Sequence, residues 1–240
     1  LTFQRFDLLL YRGVFGGLAV LLYFLAIARI DVGVATLLNY TAPLFSGVFS
    51  LLFLGERISP KVLIPMPVAL FGVWLVVHAH ARPGDILGFG KWELVAFASA
   101  LASGAAVTAM RAARRAENSW AVYTTFCLVG FLITLPPAIA TWQMPAGSEW
   151  AALAATSLFA IGAQLLLTHS LRWVDAMTVG VISQLAVIVA FVLGALLLGE
   201  RVSIAAAVGS AFTIGGVVGV VYVTSLARRT VPATAIAPEA

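Results

Sequence analysis

Eight stretches of this chain are each apolar for long enough to cross a lipid bilayer. They cover approximately residues 12–30, 33–54, 61–78, 92–110, 119–142, 149–171, 176–198 and 204–226. A spanning helix needs about 17–25 apolar residues. Inside hydrocarbon, a helix satisfies its backbone N–H and C=O groups within its own segment, which an open strand cannot do. Runs of this length joined by short connectors therefore predict an all-α, polytopic transmembrane helix bundle. Composition agrees: 62% of residues are hydrophobic and 10% charged, against roughly 25% charged in a soluble domain.

The acidic residues obey the same division. Asp7, Asp31, Glu56, Asp85, Glu93, Glu117, Glu149, Asp175, Glu200 and Glu239 fall in connectors, at helix ends or in the tail. None lies near the middle of a run, where a charge costs at least about 2.5–3.5 kcal/mol. Ser59-Pro60 predicts a capped start for the third helix, and Ser203 a cap for the eighth. Pro83-Gly84 and Pro145-Ala146-Gly147 interrupt the chain ahead of the fourth and sixth. Residues 227–240 are expected to be a disordered cytoplasmic tail. The single cysteine, Cys127, sits in an apolar run and is read as a packing residue.

Basic residues set orientation. When connectors are assigned alternately to two sides, ten of the fourteen Lys and Arg fall on the side holding both chain ends. Those ten include Arg5, Arg12, Arg57, Lys61 and Arg111; the opposite side receives Arg29, Arg82, Lys91 and Arg201. Both termini are therefore expected in the cytoplasm. The net charge of +4 reflects this orientation and not a nucleic-acid partner; the lipid bilayer is the expected surrounding.

The chain also repeats itself. Leu54-Gly55-Glu56-Arg57-Ile58-Ser59 returns as Leu198-Gly199-Glu200-Arg201-Val202-Ser203, an offset of 144. The same offset pairs Asp31 with Asp175, Gly72 with Gly216 and Val73 with Val217. The first three runs thus match the sixth, seventh and eighth. Five crossings separate the matched runs, and five is odd, so they pass through the membrane in opposite directions. Inverted repeats of this kind build transporters that alternate access around a midplane site. The fourth and fifth runs find no partner, and the offset places their counterparts ahead of Leu1. The expectation is a 5+5 protein of which about eight helices are present here. Residues 1–82 would be the remainder of the first repeat, with three helices, and 91–226 the second, with five.

At this point the residues resemble a known family. Tyr11-Arg12-Gly13, then Tyr40-Thr41-Ala42-Pro43-Leu44, Leu54-Gly55-Glu56-Arg57 and Gly72-Val73 look like the repeat of the drug/metabolite transporter superfamily, EamA type. Gly199-Glu200-Arg201 and Gly215-Gly216-Val217 repeat it more loosely, and the likeness covers about residues 10–226. The resemblance implies ten helices, cytoplasmic termini, a cavity between the halves, and a small-molecule substrate such as an amino acid, metabolite or drug. A bacterial cell membrane, inner or plasma, is the expected location. Export is the expected direction, and a homodimer is an assembly left open. One departure stands out: Pro43 is matched by Val187, so a proline-dependent bend belongs to the first half alone.

Polar side chains within the runs are the candidates for substrate contact. Asn39 and Tyr40 align with Ser183 and Gln184, symmetry-related pairs expected to face each other across the axis. Hydrogen bonding between helices is the competing role for such residues. Gln164 is large, polar and mid-run; Ser103, four residues after Ser99, and Tyr23 complete the set. For Ser99 and Ser103 packing is the competing role, and for Tyr23 packing or lipid contact. Asn39, Pro43, Ser46 and Ser50 share one helical face, either a polar stripe along a permeation path or a close-packing stripe. Glu56-Arg57 and Glu200-Arg201 are read as anchors at the membrane interface, since adjacent helical residues do not face each other. No phosphate-cradling loop, His-Glu-x-x-His or Gly-x-Ser-x-Gly pattern occurs. No catalytic residue, metal ligand or cofactor is predicted. The alternative function is a membrane-embedded protein that does not transport, either a lipid-modifying enzyme or a sensor subunit.

Overall fold

The computed structural model describes residues 5–55, 61, 64–79, 89–113, 116–170, 184–200 and 202–229, without the side chains at 164, 165, 167–170, 224 and 227–229. Its regular elements are helices throughout. They are α1 (Phe6–Ile27), α2 (Val32–Asn39), α3 (Ala42–Leu54), α4 (Pro65–Ala79), α5 (Lys91–Ala113), α6 (Ser119–Ala140), α7 (Gly147–Ser170), α8 (Leu185–Leu197) and α9 (Ile204–Arg229). Five segments among the described residues are long and apolar enough to cross a membrane, counting α2 and α3 as one. Each apolar run has its helix, with α2 and α3 sharing the second run.

Local chemistry explains the boundaries. Asn118 Oδ1 accepts from the Ala121 N–H at 2.8 Å and opens α6. Ser203 Oγ accepts from the Ala206 N–H at 3.1 Å, the expected cap of α9. Gly55 ends α3 at φ 63°, and its match Gly199 follows α8 at φ 69°. Both sit in the left-handed region that glycine adopts without steric cost. Ser59, Pro60, Pro83 and Gly84 lie outside the described residues.

The break between α2 and α3 is the anticipated effect of Pro43. Proline cannot donate to the carbonyl four residues back, and it sits in the first turn of α3. Tyr40 and Thr41 form the turn, and the Thr41 hydroxyl donates to the Leu38 carbonyl at 2.6 Å. The Leu38 carbonyl also accepts from the Thr41 N–H at 3.1 Å, so the turn is closed by hydrogen bonds of its own. The matched Val187 lies inside α8.

Small residues let the helices meet at backbone distance. A Cβ added at Gly17 of α1 would stand 2.7 Å from the Gly130 Cα of α6. The contact between α4 and α9 has a further property. A Cβ on Gly72 would meet the backbone of Thr213 and Gly209, and one on Gly216 would meet the backbone of Ala69. Positions 72 and 216 are matched by the offset, and so are 69 and 213. Each segment therefore presents to the other the contact it receives, as a two-fold relation requires. The outer surface is apolar, as a bilayer requires: Leu52 and Phe53 of α3, Leu128, Phe131 and Leu132 of α6, and Leu196 of α8 are all exposed. Cys127 is exposed as well, on α6, so its side chain is not the packing residue expected from its apolar neighbours.

Candidate functional site

α1 lies against α5 and α6, and α2 closes one end of the same assembly. Where they converge is a groove of about 180 Å³, room for roughly six waters or an amino-acid-sized molecule. One stripe of α1 lines it, with Arg12, Gly16, Ala19, Val20 and Tyr23. Their spacing follows the 3.6-residue turn. Asn39 of α2, Ser103, Ala106 and Val107 of α5, and Phe126 of α6 supply the other walls.

A hydrogen-bond chain fixes the polar end. Asn39 Nδ2 donates to Ser99 Oγ at 2.6 Å and more weakly to Ser103 Oγ at 3.5 Å. Ser99 is buried and donates onward to the Ala19 carbonyl at 2.8 Å, tying α5 to α1. The Tyr23 hydroxyl and Thr36 Oγ1 share a 2.8 Å hydrogen bond, which joins α1 to α2. Placing Asn39 at the last position of α2 aims its amide toward α5. Both amide protons are used there, which leaves the carbonyl oxygen as the group it offers to a ligand.

Three of the seven expected site residues, Tyr23, Asn39 and Ser103, are thus brought together in one groove. Tyr40 is not on its wall; it packs against the core formed by Val34, Leu37, Leu38 and Val187. Gln184 is buried at the start of α8. Ser183 and the Gln164 side chain lie outside the described residues. The stripe of Ser46 and Ser50 resolves as packing: both are buried beside α5, Thr108 donates to the Ser46 carbonyl at 3.3 Å, and Arg111 reaches Ser50 Oγ at 3.4 Å.

Arg12 and Phe126 line the groove as well; the sequence names Arg12 in the Tyr11-Arg12-Gly13 motif but not as a site residue, and Phe126 not at all. The basic-residue count places Arg12 in a connector, because a cation usually bounds an apolar run. Instead α1 starts at Phe6 and Arg12 occupies its second turn. Its guanidinium carbon lies 4.2 Å from the centroid of the Phe126 ring. The available signal was Gly16, one turn on, which leaves space where any side chain would strike that guanidinium.

The chain also matches known proteins over most of its length. The EamA-like transporter family matches the chain over residues 3–78 and 90–222. The pseudopaline exporter CntI of Pseudomonas aeruginosa (strain UCBPP-PA14) is 30% identical over 189 residues, covering 78% of this chain and 65% of that protein. Solute carrier family 35 member G1 of Homo sapiens is 24% identical over 200 residues, covering 79% of this chain and 54% of that one. The chain thus spans just under two thirds, and about half, of these relatives' lengths. A solved crystal structure is similar with a TM-score of 0.56 and 26% identity, over 96% of this chain and 80% of the other.

Proposed function

The chain belongs to the EamA-like transporter family, and on that premise we propose that it moves small metabolites, amino acids or drugs across the cell membrane. Movement is outward, by alternating access between two inverted halves, with both termini in the cytoplasm. It needs no catalytic residue. The observation that carries this reading is the groove, where Tyr23, Asn39 and Ser103 meet from three helices. Polar groups inside a bundle are costly unless they serve a pathway or hold helices together; these join α1, α2 and α5 and also open onto the groove. The bacterial relative is named as an exporter of pseudopaline, which supports export as the direction.

Flux tests the site. Proteoliposomes loaded with pseudopaline, phenylalanine or phenylacetate are expected to release at least one of them only when the protein is present. Asn39→Ala is expected to lower that release about tenfold, equivalent to one lost interaction of about 1.4 kcal/mol in the transport step. The Tm of the variant should fall only slightly, since an interhelical hydrogen bond contributes about 0.6 kcal/mol. Release unchanged in Asn39→Ala, Gln164→Ala and Gln184→Ala alike would rule out these residues as the site. No protein-dependent release of any of the three compounds would count against transport itself.

A further inference from the structure

Among the described residues no carboxylate pairs with the Arg12 guanidinium. Its Nε is buried without a hydrogen-bond partner. The Phe126 ring covers it at 4.2 Å. A Cβ on Gly16 would collide with its terminal nitrogen and would stand 2.8 Å from the Phe126 ring. The chain therefore keeps a glycine where the guanidinium folds back. Arg12 sits six residues into α1, about 9 Å from its start. A partly buried guanidinium with a buried, unpartnered Nε gains when an anion meets its planar donor edge.

We propose that this groove takes the carboxylate of a small organic acid, with Arg12 as its anchor. Arginine presents paired donors that match a carboxylate in bidentate geometry. Arg12 is the one cation among the described lining residues, which suits a single negative charge better than a phosphate dianion. Beyond the guanidinium the walls are Phe126, Val20, Ala106 and Val107, then the polar group of Asn39, Ser103 and Tyr23. The fitting ligand therefore has a carboxylate head and an apolar or aromatic body; a hydrogen-bonding far end would add to its hold and is not required. This deepens the transport reading above and rests on it.

Equilibrium binding tests the assignment. The full chain is placed in phosphatidylcholine nanodiscs and titrated with radiolabelled phenylacetate. Phenylacetamide, which has the same shape without the charge, serves as competitor. Phenylacetate is expected to bind and the amide to compete about tenfold or more weakly, a comparison made on the unaltered protein. Arg12→Gln should abolish binding, and Arg12→Lys should retain part of it. Gly16→Ala, which keeps the charge and crowds its position, should weaken it. Replacing half the lipid with phosphatidylglycerol should leave the affinity unchanged. Equal competition by the amide would overturn the proposal, as would absence of phenylacetate binding. So would displacement of phenylacetate by phosphatidylglycerol, which would identify a lipid headgroup as the occupant. Selective binding without protein-dependent efflux would overturn transport and leave this site standing. Efflux of a neutral compound, unchanged in Arg12→Gln, would do the reverse.

Discussion

Gly216→Ala is expected to destabilise the protein, while Gly215→Ala, one residue away, leaves it unchanged. The two glycines sit on different sides of α9. A Cβ on Gly216 would lie 2.6 Å from the Ala69 Cα, whereas a Cβ on Gly215 meets nothing within 4 Å. Backbone cannot step aside as a long side chain can, so α4 and α9 must separate along their crossing. Overpacking of this kind costs about 1–3 kcal/mol, and separation also forfeits dispersion contacts along the rest of the pair. Gly72→Ala should behave like Gly216→Ala, because the two positions are reciprocal partners in the same contact. Replacement of either by Leu should leave little folded material. Thermal unfolding of the solubilised protein, followed by tryptophan fluorescence, reads the difference. Equal Tm values for the Gly215 and Gly216 variants would contradict the crossing described here.

Glu200→Ala should be the second most damaging change, and Glu200→Gln should be much milder. The Val32 N–H opens α2 and donates to Glu200 Oε1 at 2.8 Å, across 168 residues of chain. Asp31, the residue preceding α2, makes no capping bond with its side chain. Glu200 is delivered by the left-handed turn at Gly199, and its own N–H returns to the Gly194 carbonyl at 3.1 Å. One connector thus caps a helix in the matched half. Removing the acceptor strands a partly buried donor, which costs about 1–3 kcal/mol. Glutamine keeps an acceptor oxygen and loses only the charge that favours a helix N-terminus, worth about 0.3–1 kcal/mol. Glu117 plays a similar part, accepting from the Arg5 N–H at 2.7 Å ahead of α1. If the alanine and glutamine variants of Glu200 melted together, the carboxylate would not be acting as a cap.

These two positions also mark what the sequence could and could not reveal. The helices were legible because bilayer thickness sets a length, and because Pro43, Gly55 and Ser203 punctuate the chain by purely local chemistry. The repeat was legible because Gly-Glu-Arg is rare among apolar residues. What Glu200 does was hidden. Adjacent helical residues do not face each other, so Glu200-Arg201 read as an interface anchor, and the partner of the carboxylate lies in another helix. Tyr23, Asn39 and Ser103 could be singled out because polar groups within a span are unusual. Tyr40 looked the same by that criterion, yet the turn before Pro43 directs it into the core. Arg12 was misplaced for the opposite reason. A cation bounds most apolar runs, and only the contact with Phe126 and the gap at Gly16 show how one is accommodated inside α1.

The oppositely inserted halves are tested most directly by labelling two matched connectors. In a Cys127→Ser background, Lys61→Cys and Ser203→Cys each place one thiol at an exposed position just beyond a Gly-Glu-Arg motif. A membrane-impermeant maleimide is added to intact cells and then to permeabilised ones. Ser203→Cys is expected to react in intact cells, and Lys61→Cys only after permeabilisation. Reaction of both thiols from the same side would contradict the inverted arrangement, and with it the pathway between the two halves.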